Sequence, residues 1–289
     1  MIADPVRLAL AGLEYSLEHI EKFETLSHAF LASDIIQTTL VSEQIEEKIK
    51  YYGRAKVVDE IPLKFRFIFG DAIHNLRAPC DHLLNAFCRK FISNTARTDF
   101  PVYQLPGSSE VGFLKWRQMH KKLPSEVLDV FQSIQPFREY CGPRGAVSGE
   151  QHPLSILNSL WNLDKHETRI VVLSTNENVT ITFNGFNAVS CSGSFSADSL
   201  TIIDQEGNPS PTMFDLNVEA KKEVVDGVDL FTFSMESNRD PYAVKFPVSL
   251  NMTIAKSAPA ASGLAVYPIL LELHTFVKDC IVAQLEPYL

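Results

Sequence analysis

The chain has 289 residues, 45% of them hydrophobic and 21% charged, enough to bury a substantial core as one large domain or two modest ones. Its 35 acidic and 26 basic residues leave a formal charge of −9, which argues against a surface coated for non-specific nucleic-acid binding and confines any RNA contact to a local basic patch. The opening MIADPVRLALAG has no basic region ahead of a long apolar core, and no run of about 18 apolar residues occurs elsewhere, so the sequence predicts a cytoplasmic protein with no membrane partner.

Asp4 and Pro5 suit the cap and first turn of a helix whose Leu10, Leu13, Leu17, Ile20, Phe23 and Phe30 make an apolar stripe facing away from Glu14, Glu18, Glu21 and Lys22. The pattern weakens from about 35 to 58, where Ile49, Tyr51, Ala55, Val57 and Val58 around Gly53 predict a β-hairpin.

Next comes the most informative stretch, Gly70 to Phe87. Ile73, Leu76, Cys80, Leu83, Leu84 and Phe87 recur at helical spacing, while Asp71, His74, Asn75, Asp81, His82 and Asn85 fall largely on the other side. A solvated helix face is usually written in Lys, Glu and Gln; short carboxylates, amides and imidazoles instead suit a partly buried site. Pro79 lacks the amide that would bond the carbonyl of Asn75, so the sequence predicts a kink or restart there.

GFLKWRQMHKKLP follows, in which Lys115, Arg117, Lys121 and Lys122 surround Trp116; they are either a solvated helix end or candidate phosphate contacts. Pro124 starts a short helix with apolar Val127, Leu128, Phe131 and Ile134, and a Pro- and Gly-containing loop runs on to Pro153. The second marked stretch, HPLSILNSLWNLDKHETR, sets Leu154, Leu157, Leu160, Trp161 and Leu163 against a polar stripe. Asn162, Asp164, Lys165 and His166 lie towards its C-terminal end, where the helix dipole favours cations.

From 168 the period changes to two. Val179, Ile181 and Phe183 alternate with threonines, Val248, Leu250, Met252 and Ile254 alternate with polar residues, and further strands are predicted at 170–174, 188–192, 199–203 and 229–236. A closing helix over 263–285 turns Leu270, Leu273, Val277 and Ile281 inward. The expected fold is therefore α+β: a helical bundle over 1–167 with the hairpin near 35–58, a mainly antiparallel β insertion over 168–255, and a C-terminal helix over 256–289 returning to the bundle.

The five cysteines, Cys80, Cys88, Cys141, Cys191 and Cys280, include no CxxC pair, which fits reduced thiols. There is no GxGxxG, Walker loop, HExxH or GxSxG, so no cofactor is expected. Asp81 and His82 are adjacent and no HxxxH pair exists, so no metal ligand set is assigned.

Gly70 to Leu84 and Leu160 to His166 resemble the GDAIHNLR…DHL and LNxxDKH blocks of an uncharacterised bacterial family, with Glu167 in place of an Arg. Arg77 to His82 also has the Arg-x4-His form, in which the chain resembles the HEPN superfamily. That resemblance implies a metal-independent endoribonuclease acting on RNA as a homodimer. His82 would then move protons at the 2′-hydroxyl and leaving oxygen while Arg77 stabilises the charged phosphorane, with Asp71, His74, Asn75, Asp81, Asn162, Asp164, Lys165 and His166 in support. The alternative reading is a non-enzymatic ligand- or partner-binding protein with a polar cleft between the two helices. A separate expectation is that the two polar stripes face each other and form one network, with His74, Arg77 and Asp81 against Asn162, Asp164 and His166.

Overall fold

A computed structural model describes residues 4–92, 99–104, 108–165, 170–175, 178–183, 186–192, 194–203, 209–218, 222–236, 244–245 and 250–289. The architecture is α+β, with helices α1 (Pro5–Leu31), α2 (Leu63–Phe87), α3 (Ser108–Met119), α4 (Ser125–Ser133), α5 (Pro153–Asp164) and α6 (Val266–Thr275). The chain divides into two compact units. The first comprises Met1–Leu26, Pro62–Val171 and Ile254–Leu289; the second comprises Ser27–Ile61 and Val172–Thr253.

In the first unit, the Asp4 carboxylate accepts the amide of Val6 at 3.0 Å and starts α1. The buried stripe of α1 is Val6, Ala9, Leu13, Ser16, Ile20 and Phe23. The stripe expected from the sequence is corrected: Leu10 is exposed, Leu17 and Phe30 are only half-buried, and the small residues Ala9 and Ser16 lie inside. Small residues are needed because α2 approaches closely. A Cβ built on Gly12 would sit 3.3 Å from Pro79 Cγ and 3.5 Å from the Asn75 carbonyl oxygen, and Ser16 Oγ donates to the Ala72 carbonyl at 3.3 Å.

The α2 helix is continuous through Pro79 and passes into a π-helical turn at Cys88–Ile92. The expected restart at Pro79 is absent. The proline ring and the carbonyl it leaves without a helical donor both lie against Gly12, so α1 accommodates the defect. Phe23 meets Phe65 edge-on, and Val127, Leu128, Phe131, Leu154, Leu157, Leu160, Leu270, Leu273, Val277 and Ile281 are buried, as their spacings predict.

Strands β1 (Ile36–Ile45) and β2 (Lys48–Val57) form the predicted hairpin, but it turns at Glu46 and Glu47, not at Gly53. Gly53 is inside β2, opposite Phe231, whose ring occupies the space of the missing side chain. The loop before Pro153 contains a small hairpin, β3 (Tyr140–Gly142) and β4 (Gly145–Val147). The β region contributes β5 (Val171–Thr175), β6 (Asn178–Phe183), β7 (Phe186–Ser192), β8 (Phe195–Ile203), β9 (Pro209–Val218), β10 (Asp229–Glu236), β11 (Val244–Lys245) and β12 (Leu250–Ile254).

One sheet runs in the order β1-β2-β10-β9-β8, a second β11-β6-β7, and β12 lies beside β5. The hairpin near 35–58 thus belongs to the β unit and not to the helical bundle, a correction to the domain boundaries read from the sequence. Its period of two buries Tyr51, Gly53 and Ala55, and Tyr51 stacks on Phe233 at 5.1 Å.

Candidate functional site

Position 77 is four residues after Ile73, three before Cys80 and seven before Leu84, which places Arg77 on the apolar stripe of α2. The structure buries it there, with 2% of its side chain exposed. Its Nη2 donates to the Phe100 carbonyl at 3.0 Å and lies 3.4 Å from Asp81 Oδ1. The Phe100 and Trp161 rings lie 5.6 and 5.5 Å from its guanidinium carbon. Nε and Nη1 find no hydrogen-bond acceptor among the described residues.

Asp81, one turn later, is also buried and accepts the Phe100 amide at 2.7 Å. Together the two side chains pin residues 99–101 to α2. Beside them, burial pushes the Cys80 thiol up to about 12, which keeps it protonated and unsuited to act as a nucleophile.

His82 is on the other side of the helix. Five residues on a straight helix turn through roughly 140° relative to the starting side chain, and His82 is exposed whereas Arg77 is buried. The two residues of the Arg-x4-His motif are therefore not brought together within one chain. His82 shares its outward stripe with Asp71 and His74, both exposed. Asn75 and Asn85 bond locally, donating to the carbonyls of Asp71 at 2.8 Å and Asp81 at 2.7 Å.

The two marked helices do pack on each other, but by other residues than the sequence suggested. A Cβ on Gly70 would meet Asp164 Oδ1 at 2.7 Å, and Arg66 Nη2 donates to the Asp164 carbonyl at 3.4 Å. Further along, Trp161 reaches Arg77, and Lys165 Nζ lies 3.0 Å from the centre of the Trp161 ring. The expected facing of the two polar stripes is corrected accordingly: Asp71, His74, His82 and Asn162 are exposed, and Asp81 turns to Phe100. His166 lies outside the described residues.

The basic cluster is also divided. Trp116 is buried between Phe113 and Phe131 and stacks on His120 at 4.3 Å, so its ring cannot receive a base. Arg117 is held by Asp129 at 2.7 Å and Gln132 at 2.9 Å, which leaves Lys115, Lys121 and Lys122 exposed.

Sequence reasoning passed over Leu63 and Phe67, which are 70% and 61% exposed. Their spacing could have found them, since 63, 67, 71 and 74 continue the line of His82 along one helix face. It also passed over Arg66 and Phe100. Among the described residues, no group of three or more His, Cys, Asp or Glu side chains could hold a metal, and no helix is long and apolar enough to cross a membrane. Comparison with protein-family models, curated proteins and solved structures finds no match.

Proposed function

We propose that the protein is a non-enzymatic binding protein that recognises a protein partner along the outward face of α2. The observation that carries this reading is the division of labour on that helix. Arg77 and Asp81 are spent inside the fold, while Asp71, His74 and His82 stand exposed in line with Leu63 and Phe67. Large exposed apolar side chains beside hydrogen-bonding groups have the composition of an interaction patch. The face is the outside of a helix, and hence convex, which suits a macromolecule better than a small ligand that needs a concave pocket.

A HEPN-like endoribonuclease is the weaker reading. It needs a cation and an imidazole at one phosphate, and even across the homodimer that the resemblance implies Arg77 is poorly placed to supply the cation, because it is buried against Phe100, Asp81 and Trp161.

Photo-crosslinking tests the proposal. A benzophenone side chain in place of Phe67 should give a discrete adduct in cells, lost when His74→Ala and His82→Ala are added, whereas the same probe at exposed Lys256 should give none. Equal labelling at both positions, or no adduct at 67, would overturn it.

A further inference from the structure

The outward face of α3 carries Val111 at 54%, Leu114 at 50% and Met119 at 72% exposure, apolar side chains that no described residue covers. Lys115, Lys121 and Lys122 are exposed beside it and make no ion pair among the described residues. Of the nearby carboxylates, Glu110 faces Arg138 at 3.6 Å, Asp129 holds Arg117, and Glu126 accepts the Ser125 hydroxyl at 3.0 Å. The strip is therefore both apolar and positive, on a protein whose overall charge is −9.

Three kinds of surface could cover it. An anionic membrane would repel the molecule as a whole, and the one aromatic ring of α3 large enough to anchor at a lipid interface, Trp116, is turned into the core. RNA would engage only three lysines and would leave Val111, Leu114 and Met119 with no role, since phosphates reward cations and not apolar groups. An acidic surface with exposed apolar side chains matches both components.

The chain carries such a surface itself. On α1, Glu14, Glu18 and Glu21 are exposed at helical spacing and make no ion pair among the described residues, flanked by Leu8 at 46%, Leu10 at 39% and Tyr15 at 59% exposure. Arg7 and Lys22 close this ridge at its two ends, so its negative stretch runs from Glu14 to Glu21. Three carboxylates within eight residues thus match three ammonium groups within eight residues, from Lys115 to Lys122, each set with three exposed apolar neighbours.

We propose that α3 of one copy of this chain, with the turn after it that carries Lys121 and Lys122, docks on α1 of a second copy. The contact uses different patches on the two partners. It can occur twice about a twofold axis to close a dimer, or repeat head to tail.

Analytical ultracentrifugation of the full chain tests this by charge exchange. Wild type should sediment above the monomer mass of 32.4 kDa at micromolar concentration. The variant Lys115→Glu/Lys121→Glu/Lys122→Glu should sediment as a monomer, and so should Glu14→Lys/Glu18→Lys/Glu21→Lys. Mixing the two should restore the complex, because the now acidic α3 of the first meets the now basic α1 of the second. Should either triple variant melt below wild type, Lys115→Glu and Glu18→Lys replace them, with a shift in the association constant as the readout. A monomeric wild type, variants that associate as wild type does, or a mixture that stays monomeric would each overturn the proposal.

Discussion

Asp81 Oδ1 accepts the backbone amide of Phe100 at 2.7 Å, which fixes the chain after residue 98 against the middle of α2. Asp81→Ala removes that acceptor and also leaves the buried Arg77 guanidinium without its carboxylate, at a cost on the order of 3–5 kcal/mol. Urea unfolding should show a lower midpoint with an unchanged slope.

Arg77 contacts the same segment through the Phe100 carbonyl and also pairs with Asp81. Removing Arg77 alone likewise strands the buried Asp81 carboxylate, so Arg77→Ala should cost a similar amount, on the order of 3–5 kcal/mol. In the double variant that carboxylate is gone. The combined loss should fall short of the sum of the single losses, and a double-mutant cycle measures the difference directly.

The pH dependence of stability should show the titration of His152. Its Nδ1 accepts the amide of Leu154 at 3.1 Å to cap α5, and its ring lies edge-on to Tyr140 and Phe276. A protonated ring could not accept that bond. Burial, helped by the positive charge of Arg144, lowers its pKa from 6.5 to about 4. The unfolded chain takes up the proton at the ordinary value while the fold resists it, so the contribution is complete above 6.5 and is lost as the pH falls towards 4. The expected loss is on the order of 3 kcal/mol. His152→Asn retains a capping oxygen but cannot titrate, so unfolding free energies measured across this range should lose that component of the slope.

In the β unit, Phe231 lies across Gly53, and a Cβ there would come within 2.1 Å of Phe231 Cζ. Gly53→Val must displace a ring that is 5% exposed, so it should destabilise by about 1–3 kcal/mol despite the better strand propensity of valine. Gly53→Val combined with Phe231→Ala should recover part of the loss in thermal melts.

These residues also show what was legible before the structure. Asp4-Pro5, Pro124 and the period-two runs announced their elements because caps and alternation are local properties. Arg77 and Asp81 were legible in principle, since both fall at stripe spacing with Cys80 and Leu84, but a charged residue there gives way to the assumption that charges face solvent. The pairing of the 35–58 hairpin with β10 joins residues about 175 apart in sequence, such as Arg54 and Asp229, and no local pattern encodes that. Strand β9 opens on Pro209 with Pro211 two residues later, which reads locally as a turn.

The central claim is that Arg77 belongs to the fold and His82 to the surface, from which we infer that they do not form a catalytic pair. Incubating pure wild-type protein and His82→Ala with a panel of single-stranded RNAs in EDTA tests this most directly, with end analysis of any fragments. No cyclic-phosphate ends should appear above buffer with either protein. Fragments with such ends, produced by wild type and absent with a stably folded His82→Ala, would contradict the account.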